Sequence, residues 1–344
     1  MKYNKIVILL GAGFAQYCKG LGTKDINRIF SNYARWIVGE ESLYDYTEKY
    51  LEDVYYDFNF ETFLAIIENI CSFRLSQFRD GQTSTAWKGL SSTIFDMKPE
   101  FEHCSCFENQ EIAYEVLRSY INLLNDNVVS YDDCSKCEEE IGVFKKYISH
   151  LQKKVVNIKI YSTNYDLIVP KALKIRGASL GVSDDITKQA FSYDIDAFRC
   201  LPLTYFPIHG CSYIYQEAYG RFYLSSIEQS MPYFAQSNRG GNPNDETFFS
   251  PIISGYNKLE HINGRPFNFG FQAFSNDCFD SDLIITMGYS FSDPHINSII
   301  ETFSNCFIEC ITLNNAPILP TPLDMRVKTN TKGIEDYLTK AISL

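Results

Sequence analysis

Apolar residues run unbroken from Ile6 to Leu10 and stop at Gly11. A run of this length, bounded by glycine, predicts a parallel strand over Lys5–Leu10 buried on both faces. From about Lys24 to Leu151 the spacing changes to that of helices. Phe60, Phe63, Leu64, Ile67 and Ile70 recur at intervals of three and four and define one apolar face. Ile112, Val116, Tyr120, Leu123 and Leu124 define a second, and the polar stretch Arg79–Asn109 between them reads as loop with short helices. Residues 24–151 are therefore expected to form a helical insertion after the first strand. Strand character returns at Val155–Tyr161, Tyr205–Ile208, Leu283–Thr286 and Ile308–Leu313. Alternating strands and helices predict an α/β fold, a Rossmann-like doubly wound parallel sheet. Residues 177–270, rich in Gly, Pro, Tyr and Asn without a clean period, read as a loop-rich cap. With no internal repeat, the chain is expected to form a single domain over 1–344.

Composition narrows the class. A chain of 344 residues with 26 Phe and 24 Tyr can bury a large, ring-filled core. Its formal net charge of -11 argues against a nucleic-acid surface, which needs clustered Lys and Arg. A small anionic ligand remains compatible, because backbone N–H groups can hold one. The run before Gly11 is too short for a secretory leader, and no stretch approaches the roughly 20 apolar residues of a membrane span. A cytoplasmic location is expected, and the 11 cysteines are then expected to be reduced thiols. His103-Cys104-x-Cys106 and Cys134-x-x-Cys137 have zinc-ligand spacing but sit in an acidic, loop-like segment. Both readings stand for that group, metal or free thiols, and no metal is assigned.

The candidate chemistry lies where strands end, which is where ligands bind in such sheets. Gly11-Ala12-Gly13-Phe14 follows the first strand, as a phosphate turn requires, although Gln16 breaks the full G-x-G-x-x-G spacing. Thr163, Asn164 and Asp166 follow the second; they could be polar ligands or an Asx turn bonding its own backbone. His209-Gly210 follows the third, and a neutral imidazole there could accept a proton. Gly288-Tyr289-Ser290-Phe291-Ser292-Asp293-Pro294-His295-Ile296-Asn297 follows the fourth. In it, Asp293 could bind a ligand or cap the helix that Pro294 opens.

These segments, in this order, resemble the sirtuin family. Gly11–Phe14 is similar to its phosphate loop, with Ala15 where the family usually has serine. Thr163, Asn164 and Asp166 match its polar motif, His209-Gly210 its catalytic His-Gly, and Gly288 and Ser290 its phosphate and ribose segment. Leu313-Asn314 resembles its adenosine-binding step. The longer form from Gly288 to Asn297 looks like the sirtuin-like proteins of bacterial antiphage defence. Deacylase sirtuins carry two C-x-x-C zinc pairs after the His-Gly, and no C-x-x-C occurs here beyond His209.

The resemblance implies an NAD+ hydrolase that releases nicotinamide and ADP-ribose. Asn164 and His209 would be catalytic, with Asp166 holding the carboxamide end or ordering the loop. Gly11, Ala12, Gly13, Phe14, Thr163, Gly288, Ser290 and Asn314 would hold the dinucleotide. NAD would be the substrate, with no metal required. The same resemblance implies abortive infection by NAD depletion, a homo-oligomer, and control by a separate regulatory or sensor protein, an ATPase among the candidates. Two alternatives stay open: an NAD-dependent protein deacylase, and a non-catalytic NAD or ADP-ribose sensing module in a larger complex.

Overall fold

The computed structural model describes residues 3–51, 58–72, 90, 93–94, 109–131, 134–175, 177–180, 189–190, 195–211, 214–217, 221–224, 252–253, 262–263, 266–304, 306–312 and 326–343. The chain divides into two compact units, one of residues 1–22, 128–253 and 259–344, the other of 23–127 with 254–258.

The larger unit is built on a six-stranded sheet. Its strands are β1 (Tyr3–Leu10), β2 (Val155–Ser162), β3 (Leu203–Pro207), β4 (Leu283–Met287), β5 (Phe307–Ile311) and β6 (Val327–Asn330). The spatial order is β6-β5-β4-β1-β2-β3, with every pair parallel. The chain builds outward from β1 through β2 to β3, then crosses back to lay β4 on the other side of β1. This is the doubly wound order, and its switch point falls between β1 and β4.

Central position explains the apolar run. Ile6, Val7, Ile8, Leu9 and Leu10 are all at most 1% exposed, because β1 has a strand on each side and helices above and below. Alternate residues of the strands select the two faces. On one face Tyr161 packs edge-on against Phe274 at 4.9 Å and donates to Asp277 at 2.6 Å; both partners lie in the helix Phe267–Phe279. On the other, Glu309 accepts from Tyr337 at 2.6 Å, and Tyr337 packs on Tyr147 of the helix Glu138–Leu151. The helical pattern foreseen over 24–151 thus divides, its last helix covering this sheet and residues 23–127 grouping apart.

The strands foreseen at 155–161, 205–208, 283–286 and 308–313 are present with no end shifted by more than two residues; β6 was not foreseen. Most of the segment foreseen as a cap, 177–270, lies outside the described residues, apart from short pieces. One of these is a small antiparallel sheet of Gln189–Ala190, Arg221–Leu224 and Ile214–Glu217.

The smaller unit is helical around an aromatic cluster. Phe30 meets Tyr44, Phe60, Phe63 and Tyr120 at ring distances of 5.0 to 6.1 Å. Its helix Phe60–Ser72 starts where Asn59 Oδ1 accepts from the backbone of Glu61 (2.9 Å) and Thr62 (3.2 Å), satisfying two otherwise orphaned donors.

Candidate functional site

Four loops meet at the carboxyl edge of the sheet, and the tightest contact among them lies at the switch point. Gly11 caps the helix α1 (Ala12–Tyr17) and donates to Met287 O at 3.0 Å, while Gly13 donates to Gly288 O at 2.9 Å. A Cβ on Gly13 would stand 2.8 Å from Gly288 Cα, and one on Gly11 would stand 2.6 Å from Gly288 O. The glycines are therefore fixed by backbone meeting backbone. The N–H groups of Gly11, Gly13 and Phe14 already have carbonyl partners, so these glycines serve close approach of two loops as well as any ligand. Phe14 is 2% exposed with its ring on Phe144 at 4.9 Å; its side chain belongs to the core. Ala12 is exposed at the first position of α1.

Beyond β2 the polar residues separate by role. Asp166 Oδ1 accepts from Ile168 N at 3.1 Å, the local turn that its residue type favours. Asn164 is buried and does something else: its Nδ2 donates across to Gly11 O at 3.0 Å. A carbonyl can only accept, so the amide nitrogen must face it, and Oδ1 is turned the other way. Thr163 adds N–H and Oγ1 contacts to Leu10 O at 2.9 and 3.3 Å. Asn164 and the glycine loop are thus one connected piece.

His209 follows β3 and is 1% exposed. Its Nε2 lies 2.9 Å from Nε2 of His295, with the two rings tilted at 36°. One nitrogen of this pair must donate and the other accept. His295 sits in the first turn of the helix α2 (Pro294–Phe303), just after Asp293 at the N-cap. Asp293 makes no side-chain cap bond, so the capping role considered for it is not realised. Its carboxylate lies near the two imidazoles, with one ligand atom from each of His209, Asp293 and His295 within 4.8 Å of the others.

The loop Gly288–Asp293 is held in an uncommon backbone. Phe291 has φ +58, in the left-handed region that a bulky residue rarely enters, and is 5% exposed. Asn297 holds it there, donating from Nδ2 to Phe291 O at 2.8 Å and accepting from Tyr289 Oη at 3.1 Å. Burial pushes the Tyr289 hydroxyl well above the ordinary tyrosine range, so it stays a donor. Ser290 is exposed, its Oγ 2.8 Å from that of Ser292. Asn314 lies outside the described residues, as do Cys104 and Cys106. His295 and Asn297 stood in the quoted motif without a role; the pairing of Asp-Pro-His with a distant His-Gly was the signal to weigh.

The structure thus defines a doubly wound α/β protein with a polar site at the switch point of its sheet. No protein-family model and no curated protein matches the chain. Among solved structures it is similar to a Sir2 homologue mutant in complex with ADP-ribose, at 11% identity and a TM-score of 0.45, covering 99% of this chain and 92% of that one. It is similar also to a Sir2 homologue in complex with NAD, at 9% identity and a TM-score of 0.42, covering 99% of this chain and 89% of the other. No helix among the described residues is long and apolar enough to cross a membrane.

Proposed function

We propose that this chain is an NAD+ hydrolase that cleaves the nicotinamide–ribose bond. The observation that carries the reading is the meeting of Asn164 with the glycine loop, at the same carboxyl edge as the pair of buried His209 and half-buried His295. Cleavage leaves positive charge on the ribose and needs an attacking water, the logic of other glycosidic bonds. Nicotinamide departs neutral and needs no acid. Asn164 Oδ1, turned from Gly11, accepts a hydrogen bond from the water or a ribose hydroxyl and orients it. An amide cannot take the proton, so the proton goes to the imidazole pair of His209 and His295. Gly288, Ser290 and Thr163 line the remainder of the dinucleotide path in this reading, with Asn314 at its adenosine end and Asp166 ordering the loop beside Asn164.

The sequence resemblance extends the reading to a role: NAD depletion in bacterial antiphage defence, in a homo-oligomer held in check by a separate sensor protein. The test is incubation of the purified protein with NAD+, alone and with its genomic neighbour, following nicotinamide and ADP-ribose. Release should fall by at least about 100-fold in His209→Ala, the scale of a lost acid–base group, and should fall also in Asn164→Ala, which loses the group that orients the water. Tight NAD+ binding with no turnover under any activating condition overturns the hydrolase and leaves a sensing module.

A further inference from the structure

We propose that His209, Asp293 and His295 form a binding site for a divalent cation of the zinc type. The three residues come from the loop after β3 and from the N-terminal end of α2, and their ligand atoms lie within 4.8 Å of one another. Two imidazoles and one carboxylate suit zinc or a neighbouring transition metal; magnesium and calcium prefer oxygen sets.

The distances come close to what such an ion needs. Ligand bonds of about 2.0–2.2 Å in a tetrahedron put two ligand atoms roughly 3.3 Å apart. The two Nε2 atoms, at 2.9 Å, need part by only a few tenths of an ångström. His209 is the fixed member, 1% exposed at the end of a central-sheet strand. Asp293 and His295 are half-buried, which gives an ion a way in from that side. The N-terminus of α2 on its own disfavours a cation. Asp293 stands at that N-terminus without capping it, so its negative charge offsets the dipole where the ion would sit. Three protein ligands leave a fourth position for water.

The consequence rests on the hydrolase reading. A His209 nitrogen bound to a cation has no lone pair for a proton, so the ion would hold the enzyme inactive until it is removed. Occupancy is thus a form of control that needs no second domain.

The experiment uses the full chain, stripped with chelator and titrated with Zn2+ alone by calorimetry, with Co2+ as a spectroscopic probe. One ion should bind per chain, with a cobalt spectrum lacking a thiolate charge-transfer band. His295→Ala and the near-isosteric Asp293→Asn should each weaken binding by at least about 10–100-fold, the scale that even outer partners of a metal ligand reach. No binding to the stripped protein overturns the site. So does binding unchanged in both variants, or a thiolate band, either of which would place the ion on cysteines. Nicotinamide release is read in the same samples. Zinc binding to a protein that shows no turnover even when stripped keeps the site and removes the hydrolase, whereas turnover by a stripped protein that binds no zinc does the reverse.

Discussion

Gly288 carries two constraints in one residue. Its φ is +63, and a Cβ there would lie 2.3 Å from Phe14 N and 2.4 Å from the Gly13 carbonyl carbon. Gly39 shares the backbone sign, at φ +67, but a Cβ there would meet nothing within 4 Å. The pair separates conformation from contact. Gly39→Ala should cost about 1–2 kcal/mol, the left-handed penalty alone. Gly288→Ala should cost clearly more, since backbone must move as well. Urea denaturation of both variants checks this; equal losses would mean the loops at the switch point can part freely. At this scale the sequence was half legible. That Gly11 and Gly13 follow a strand is visible in the chain, but their bonds to Met287 and Gly288, across more than 270 positions, are made by the sheet order. Asp166 behaves as its residue type suggests and bonds locally, whereas the cross-loop bond of Asn164 needs a partner that only folding supplies.

The loop Gly288–Asp293 and the helix after it work as one element because Asn297 reaches back over two hydrogen bonds. Removing that side chain in Asn297→Ala takes the Nδ2 donor from the buried Phe291 carbonyl and leaves the Tyr289 hydroxyl only the Asp293 carbonyl, at 3.4 Å. Each such loss costs about 1–3 kcal/mol, and Phe291 would relax from its strained φ. A lower denaturation midpoint is expected, and on the hydrolase reading a raised KM for NAD+. Asn297→Asp discriminates the two bonds. It keeps an acceptor for Tyr289 but turns a carboxylate toward the Phe291 carbonyl, so it should rescue nothing; a wild-type midpoint would show that the Nδ2 donor is not the restraint. The elements themselves were read best where burial is complete. β1 from Ile6 to Leu10 and β4 from Leu283 to Ile285 are apolar runs because both faces are covered, whereas edge strand β6, Val327–Asn330, is half exposed and carries no such run. His209 and His295 meet because the chain crosses back after β3, a step that periodicity cannot register.

At the scale of the larger unit, charge is buried at the far side of the sheet from the site. Lys5 pairs with Asp277 at 2.8 Å and Asp280 at 2.6 Å, and Asp277 also accepts from Tyr161. Lys159, fully buried, donates to the carbonyls of Phe198, Arg199 and Leu201 at 3.2, 3.0 and 2.8 Å. Burial lowers its pKa to about 8, the Asp277 carboxylate offsetting part of the effect. The sign follows from proton counting. Between about pH 8 and the ordinary lysine value, the unfolded chain holds the Lys159 proton more firmly than the folded one, so stability rises with pH there. Below pH 8 both states are charged and this slope vanishes. Tyr161, Tyr120 and the buried thiols Cys278 and Cys310 have raised pKa values and push the other way as they ionise, so the wild-type curve alone is a mixture. Lys159→Met removes one contributor and leaves the rest. The stability difference between wild type and Lys159→Met should therefore move in favour of wild type by about 1–2 kcal/mol from pH 8 to 9.5, at up to about 1.4 kcal/mol per pH unit. Urea titrations read by far-UV circular dichroism suit the measurement, because Trp36 belongs to the other unit and its fluorescence would report on that one. A difference that stays flat across this window would mean that the three carbonyls hold the ammonium as firmly as water does.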